Sequence, residues 1–288
     1  MPALLAASLI WAFSFGLIKS QLAGVPPHLV ALLRLGLSAL LFAPSFRPGR
    51  IPAPSFGLLA LCGAVQYGAM YLAYLASFDY LQASEVALWT VFTPIYVVLL
   101  ADIAAHTFRW RNFAAAALSV AAAWLVSRGS TAPHLAGIAL VQVSNLCFAA
   151  GQVWYRRLLP PSVAVRDREV FASLFLGGTL LAAIPVGMSA GMLSALAALT
   201  PTQVATVLYL GLVPSGLGFF LWNVGVRRSR EGTAAVCNNA KVPLAIAVSW
   251  IVFEALPTVE TFARTLVALV LLVTALWLAD RETPRGSR

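Results

Sequence analysis

Lys241 is the residue whose chemistry stands out most in this sequence, because it lies in an apolar stretch that runs from Glu231 to Trp250. A charged side chain at the centre of a bilayer costs ~2.5–3.5 kcal/mol, so such a lysine is usually paired, hydrated or functional. Asn238 presents an amide one turn earlier on the same helix face, and Pro243 removes a backbone donor nearby. We expect Lys241 and Asn238 to bind a substrate carboxylate. The alternative is that Lys241 bonds to carbonyl groups freed by Pro243 and only holds the helix break.

A second stretch, from Ser84 to Leu100, repeats this design earlier in the chain. Its Pro94 corresponds to Pro243 and its Trp89 corresponds to Asn238. Thr93 follows Trp89 by one helical turn. Interrupted apolar segments at corresponding places in two halves of a chain indicate the binding site of a transporter. We therefore predict that Trp89 and Thr93 also contact the substrate.

Polar and aromatic side chains recur at helical spacing in two further apolar runs. In one run, Gln66 and Met70 form one stripe and Tyr67, Tyr71 and Tyr74 form the next, and we expect one stripe to line a cavity. The predicted substrate contacts are Gln66, Tyr67, Met70 and Tyr71 in that run and Asn145, Phe148 and Gln152 in the other. Packing is the alternative for the tyrosines, and the amides could instead tie helices together at ~0.6 kcal/mol per bond. Arg34 lies near the start of its run, where its guanidinium can reach the membrane interface. We expect a structural role for Arg34.

The elements that must position these side chains are apolar helices. Hydrophobic residues make up 60% of the chain, charged residues 10%, and the mean hydropathy is +0.87, as in a membrane protein. The formal charge of +9 does not indicate nucleic-acid binding, because the basic residues sit between apolar runs and no reading motif is present. Ten runs reach or approach the ~20 residues that cross a bilayer. They are Pro2–Ile18, His28–Ala43, Phe56–Ser77, Ser84–Ile103, Trp110–Val126, Leu135–Tyr155, Val170–Met188, Val204–Val226, Gly232–Phe253 and Val259–Leu278.

The distribution of Lys and Arg predicts the orientation. With a cytoplasmic N-terminus, fourteen of the 19 basic residues fall in the even-numbered links and the C-terminus, and three fall on the opposite side. Those three are Lys19, Arg128 and Arg264, and the remaining two, Arg34 and Lys241, lie inside spans. The positive-inside rule then places both termini in the cytoplasm of a cell with a bacterial-type inner membrane.

An internal repeat predicts the architecture. The segment Ser8–Leu22 aligns loosely with Ser144–Leu158, and Leu59–Leu75 aligns with Leu208–Trp222 by pattern. Because each half holds five spans, an odd number, the second half must enter the membrane from the opposite side. The predicted fold is an all-α membrane protein of ten transmembrane helices, built as two inverted five-helix repeats around a central cavity. The first repeat covers residues 1–129, the second covers 130–280, and 281–288 form a cytoplasmic tail.

The motifs WAFSFGLIK, YLGLVPSGLGFFLWNVGVRR and FEALPTVETF resemble those of the drug/metabolite transporter superfamily in its EamA branch. Within that branch the chain looks most similar to YddG-type amino-acid exporters. The resemblance implies an inner ring of helices 1, 3, 4, 6, 8 and 9 around the cavity, with helices 5 and 10 at the periphery. The Gly-Glu pair that often follows the fourth helix is replaced here by Ala104-Ala105-His106.

All ten acidic residues lie in links or near helix ends, so no carboxylate is expected at the midplane to carry a proton. No nucleophile, metal or phosphate-loop motif appears, so we predict neither an enzyme nor a cofactor. The predicted function is export or facilitated passage of small metabolites, first aromatic and other neutral amino acids, by uniport with alternating access. The partners are a small-molecule substrate and the lipid bilayer, without nucleic acid. An exporter of organic cations, drugs or nucleobase-like solutes and a non-transporting receptor or scaffold stay open as alternatives.

Overall fold

The computed structural model describes residues 2–47, 49, 53–81, 83–126, 134–159, 166–229, 233–234, 236–241, 244 and 258–280. Within these ranges the chain forms helices and no β-strand. Six continuous helices are α1 (Pro2–Gln21), α2 (Pro27–Phe42), α5 (Trp110–Val126), α6 (Leu135–Leu158), α7 (Asp167–Met188) and α10 (Val259–Asp280). Helices α3, α4 and α8 each contain an irregular turn. Helix α9 is described at residues 233–234, 236–241 and 244.

Seven helices in the described part of the chain are long and apolar enough to cross a membrane, namely α1 to α4 and α6 to α8. Large apolar side chains cover their outer surfaces, such as Leu40, which is 70% exposed, and Met188, which is 83% exposed. Outside these seven, α5 has the bounds that the sequence predicts, and α10 carries the apolar stretch Phe262–Ala275. The protein is therefore an all-helical membrane protein, as its composition predicts.

Helix α4 is interrupted where the sequence predicts. Its parts are Ala83–Trp89, a 3-10 turn at Thr90–Phe92, and Thr93–Ala105. Because Pro94 has no N–H group for the carbonyl of Thr90, that carbonyl accepts a hydrogen bond from Thr93 Oγ1 at 2.7 Å. The corresponding break predicted at Pro243 lies outside the described residues.

Helices α3 and α8 each contain a π-helical segment near their middle. Helix α3 consists of Ala53–Gly63, the π segment Ala64–Ala69 and Met70–Ser77. A short helix, Met192–Ala197, precedes α8, which consists of Pro201–Leu210, the π segment Gly211–Gly218 and Phe219–Arg227. In α8 Pro214 removes the α-helical donor to the Leu210 carbonyl, and Ser215 Oγ donates to that carbonyl at 2.7 Å.

Glycines allow α3 and α7 to pack backbone to backbone. A Cβ atom at Gly177 would lie 1.8 Å from the carbonyl oxygen of Ala60, and one at Gly63 would lie 1.9 Å from that of Leu174. Only glycine fits at such contacts, which are a recurrent way of joining membrane helices. Helix α7 also packs along α2, α5 packs along α10, and α8 packs against α1 and α2. Helix α2 also contacts α3, so it packs against both α3 and α8.

Candidate functional site

A cavity of about 80 Å³ lies between side chains of α1, α2, α3, α4, α6, α8 and α9. Its described lining combines two basic, four hydroxyl and five aromatic side chains with one amide and one methionine, and contains no acidic side chain. Pockets that hold drug-sized ligands measure roughly 300–1,000 Å³. A metabolite can therefore enter this space only if the surrounding helices move apart.

The first basic side chain, Arg34 of α2, is only 2% exposed. Its Nε donates to Ser215 Oγ at 3.0 Å, and its Nη2 donates to the Tyr71 hydroxyl oxygen at 2.7 Å. The guanidinium also lies over the Tyr71 ring, 4.4 Å from the ring centroid, a cation–π arrangement. The π segment of α8 thus matters to the cavity, because it holds Ser215 against the arginine.

The second basic side chain, Lys241 of α9, is 7% exposed and faces the same cavity. Its Nζ lies 3.5 Å from Asn238 Oδ1, at the limit of a hydrogen bond. Asn238 in turn donates to Asn239 Oδ1 at 3.3 Å. Asn239 joins α9 to α4 and α5, because its Nδ2 lies 3.0 Å from the Val91 carbonyl oxygen and 3.1 Å from Ser119 Oγ. The amides of α9 therefore anchor the helix beside the break in α4, and Lys241 is left facing the cavity.

Asn145 of α6 bridges the irregular turn of α4 at the cavity wall. Its Nδ2 donates to the Trp89 carbonyl oxygen at 2.9 Å, and its Oδ1 lies 2.9 Å from Thr93 Oγ1. Gln142, one turn earlier on α6, also donates to the Trp89 carbonyl at 3.3 Å. These bonds satisfy the backbone groups that the 3-10 turn exposes, so Asn145 holds the wall of the cavity in shape.

Aromatic rings form the remaining wall. Trp11 of α1 donates from Nε1 to the Pro214 carbonyl oxygen at 3.0 Å, which fixes its ring against the π segment of α8. The ring centroid of Trp11 lies 5.2 Å from that of Phe219 and 6.0 Å from that of Phe148. All three rings line the cavity, which therefore offers apolar faces beside its two cations.

Two acidic side chains of the described chain, Asp102 and Asp167, pair with basic side chains near helix ends. Asp102, at the end of α4, lies 2.6 Å from Arg109. Asp167, at the start of α7, accepts from the Tyr155 hydroxyl at 2.6 Å and from Arg227 Nη1 at 2.8 Å. In the described lining of the cavity, no carboxylate balances the two cations.

Six of the eleven residues predicted to bind substrate line this cavity: Met70, Tyr71, Thr93, Asn145, Phe148 and Lys241. The other five are not among its described lining residues: Gln66, Tyr67, Trp89, Gln152 and Asn238. Two of these, Gln66 and Tyr67, instead join α3 to α8. Gln66 Nε2 donates to Asn223 Oδ1 at 3.1 Å, and Asn223 Nδ2 donates to the Tyr67 hydroxyl oxygen at 2.8 Å.

Trp89 and Gln152 also lie elsewhere. The Trp89 ring stacks on Phe92, with centroids 5.8 Å apart, and meets Trp124 at 6.1 Å. Gln152 lines a separate cavity of about 220 Å³ at the end of α6 that carries Arg156 and Arg157. A substrate contact by these residues stays a prediction.

Comparisons with known proteins place the chain in a family. The model of the EamA-like transporter family matches residues 1–128. The biotin transporter of Escherichia coli strain K12 is 35% identical over 295 residues, which cover 100% of this chain and 96% of that protein. The chain belongs to the EamA-like transporter family. It is a multi-pass membrane transporter of the drug/metabolite transporter superfamily and not an enzyme, as the sequence motifs predicted.

Other proteins similar to this EamA-like transporter differ in the substrate that their names give. A probable biotin transporter of Pseudomonas aeruginosa is 36% identical over 259 residues, covering 88% of this chain and 89% of that protein. A probable terminal-alkyne amino-acid exporter of Streptantibioticus cattleyicolor is 26% identical over 257 residues, covering 86% of this chain and 84% of that protein. A solved crystal structure superposes on this chain with a TM-score of 0.76, and the match covers 98% of this chain and 97% of the chain in that structure. The two chains are 19% identical in sequence and share the fold.

The expectation that Arg34 of this EamA-like transporter reaches the membrane interface is wrong. The side chain points inward between α3 and α8 and lines the cavity, because Tyr71 and Ser215 accept its hydrogen bonds there. The signal that could have indicated this was Pro214-Ser215, a proline followed by a hydroxyl in a membrane helix. Six further lining residues were not among the predicted substrate contacts: Trp11, Ser14, Tyr74, Thr90, Ser144 and Phe219.

Proposed function

We propose that this transporter carries small organic monocarboxylates, with biotin as the first substrate to test. The observation that carries the proposal is the pair of buried cations, Arg34 and Lys241, in a cavity whose described lining holds no acidic side chain. A carboxylate would balance part of this charge, and Trp11, Phe148 and Phe219 would cover the uncharged body of the solute. The hydroxyl groups of the lining offer hydrogen bonds to a polar ring such as the cyclic urea of biotin.

Relatives support this order of substrates. Proteins named biotin transporter match nearly the whole chain at 35% identity, whereas the protein named as an amino-acid exporter matches at 26%. Charge points the same way. An amino acid would bring its ammonium group to a space that already holds two cations, and an organic cation would meet the same repulsion without any compensating carboxylate. Neutral amino acids are therefore our second candidates, and organic cations are disfavoured.

We further propose that the chain works by alternating access between two inverted five-helix repeats, residues 1–129 and 130–280. Several matched features of the described helices support this arrangement. Helix α2 packs along α7, α5 packs along α10, and π segments occur in α3 and in α8, at corresponding places of the two halves. The described lining comes from the six helices that the family resemblance implies, with Arg34 of α2 added. Both termini would then lie on the cytoplasmic side of a bacterial inner membrane, as the basic residues indicate.

A solute panel in proteoliposomes tests the proposed function. The purified protein is reconstituted, and uptake is measured for biotin, its primary amide, a neutral aromatic amino acid and an organic cation, with and without a pH gradient. We expect biotin to enter fastest, the amide and the cation to enter much more slowly, and the pH gradient to be dispensable. Uptake of the cation alone would contradict the substrate class. No uptake of any solute would instead favour the scaffold alternative.

A further inference from the structure

Arg34 reaches the cavity from α2, a helix that contributes no other described side chain to the lining. Family resemblance places helix 2 outside the inner ring, so this arginine enters the cavity from behind that ring. Its guanidinium is almost fully buried, at 2% exposure, between Tyr71 of α3 and Ser215 of α8. A buried guanidinium needs its N–H donors satisfied and its charge balanced.

The direction of each hydrogen bond around Arg34 follows from the donors that are present. Ser215 Oγ donates its single proton to the Leu210 carbonyl at 2.7 Å, the carbonyl whose α-helical donor Pro214 removes. Ser215 Oγ therefore accepts from both of its other neighbours, Arg34 Nε at 3.0 Å and the Tyr71 hydroxyl at 2.9 Å. The Tyr71 hydroxyl oxygen, having donated to Ser215, accepts from Arg34 Nη2 at 2.7 Å. Every hydroxyl proton in this network is committed, and every hydroxyl oxygen acts as an acceptor for the arginine.

The network leaves one edge of the guanidinium without a partner. Arg34 Nη1 is buried and has no hydrogen-bond partner in the described structure, so both of its donors are unused. Nη2 carries a second N–H beyond the one that it donates to Tyr71. No carboxylate pairs with Arg34 in the described part of the chain, since the described ion pairs of Asp102, Asp167 and Glu260 lie near helix ends. A buried donor that lacks a hydrogen-bond partner costs free energy, and no described lining residue bonds to Nη1.

We infer that Arg34 binds the carboxylate of the transported substrate through its Nη1–Nη2 edge, an inference that rests on the proposed function. This edge presents two parallel N–H groups, which match the two oxygens of a carboxylate in a bidentate pair. Ser215 accepts from Nε, and the Tyr71 ring covers one face of the guanidinium. These two contacts fix the orientation of the free edge. Lys241, a single ammonium on a flexible stem, adds charge from α9 but no such geometry. Arg34 therefore fixes the orientation of the carboxylate, and Arg34 and Lys241 together favour a carboxylate over an uncharged polar group.

The test compares an acid with its amide on the same protein. Binding of biotin and of its primary amide is measured by thermal stabilisation of the purified protein, and uptake of both in proteoliposomes. These measurements use the wild type, Arg34→Gln, Arg34→Lys and the control Arg47→Gln, which replaces an exposed arginine that bonds only to nearby carbonyl groups in the described structure. In the wild type we expect the amide to bind roughly ten- to a hundredfold more weakly than the acid.

Arg34→Gln should lower the affinity for the acid by about the same factor and leave that for the amide nearly unchanged. Arg34→Lys should retain part of the preference for the acid, because it keeps the charge but loses the paired donors. The control should behave as the wild type does.

Equal loss of acid and amide binding in Arg34→Gln would overturn the inference and assign Arg34 a structural role. If Arg34→Gln fails to fold, the wild type and Arg34→Lys decide, and equal binding of acid and amide by the wild type overturns the inference by itself. A wild type that neither binds nor transports any carboxylate of the panel would defeat the proposed function as well.

Discussion

Replacing Lys241 with methionine separates a substrate-binding lysine from a lysine that only supports the helix break. Methionine keeps the stem and most of the volume of the side chain and removes its charge. In the described structure the ammonium makes one long contact, 3.5 Å to Asn238 Oδ1, so little intramolecular bonding is lost. Lys241 is also 7% exposed, and removing an incompletely paired buried charge is often neutral or stabilising. We therefore expect the thermal stability of Lys241→Met to equal or exceed that of the wild type.

The expected loss of function is large by comparison. A charge-assisted hydrogen bond to a desolvated carboxylate contributes ~1.5–3 kcal/mol, which corresponds to roughly ten- to a hundredfold in affinity. Uptake of biotin by Lys241→Met in proteoliposomes should fall by that factor at low substrate concentration, whereas uptake of the amide should change little. Lys241→Arg should rescue biotin uptake in part, because it restores charge but not the compact ammonium.

The assay pairs initial uptake rates for acid and amide with the melting temperature of each purified variant. A structural role for Lys241 predicts the opposite pattern, in which the melting temperature falls and both solutes slow to the same extent. That outcome would remove Lys241 from the binding site. It would leave Arg34 as the one basic residue of the described lining that still has a proposed role in binding.

Further experiments test the orientation, the driving force and the helix packing. A cysteine at Ser229 should react with an impermeant reagent from the cytoplasmic side and a cysteine at Ala132, which lies outside the described residues, from the opposite side; the reverse labelling would contradict the orientation. Uptake should follow the solute gradient as uniport, and strict dependence on an imposed proton gradient would show that a titrating group has been overlooked. Gly177→Ala should destabilise the protein by ~1–3 kcal/mol or more, because the new Cβ meets the Ala60 carbonyl. Gly187→Ala on the same helix, where a Cβ meets nothing within 4 Å, should not, and equal melting temperatures for the two variants would contradict the α3–α7 packing.

The sequence predicted the interruption of α4 because its cause is local. Pro94 lacks the N–H group that an unbroken helix would need, and the stretch around it is apolar enough to lie in a membrane. The family, the helical class and the basic residue Lys241 facing a cavity followed from equally local signals. The described helices also begin and end within a few residues of the predicted bounds, as for α5 at Trp110–Val126.

The predicted helix faces did not all agree with the structure, because two irregular turns change the helical period. Regular 3.6-residue spacing placed Gln66 and Met70 on one stripe and Tyr67 and Tyr71 on the next. The π segment Ala64–Ala69 intervenes, and Met70 and Tyr71 line the cavity while Gln66 and Tyr67 bond to Asn223. That segment contains no proline, so the sequence pattern does not predict the π-helical turn.

Trp89 illustrates the same effect in α4. The 3-10 turn at Thr90–Phe92 has about three residues per turn, so side chains before and after it are rotated relative to a regular helix. Thr93 consequently faces the cavity while the Trp89 ring packs on Phe92 and Trp124. The placement of Arg34 at the membrane interface was predicted wrongly for a different reason. Its position depends on Ser215 and Tyr71, which lie far away in the chain and meet it only in the folded bundle.

Counterflow of biotin tests whether the protein carries a carboxylate through the cavity that Arg34 and Lys241 line. Proteoliposomes loaded with unlabelled biotin are diluted into a trace of labelled biotin, for the wild type and for the double variant Arg34→Gln/Lys241→Met. We expect the wild type to accumulate label transiently above the external concentration and the double variant not to do so. Absence of counterflow in the wild type, or equal counterflow in both proteins, would contradict transport of a carboxylate through the cavity that Arg34 and Lys241 line.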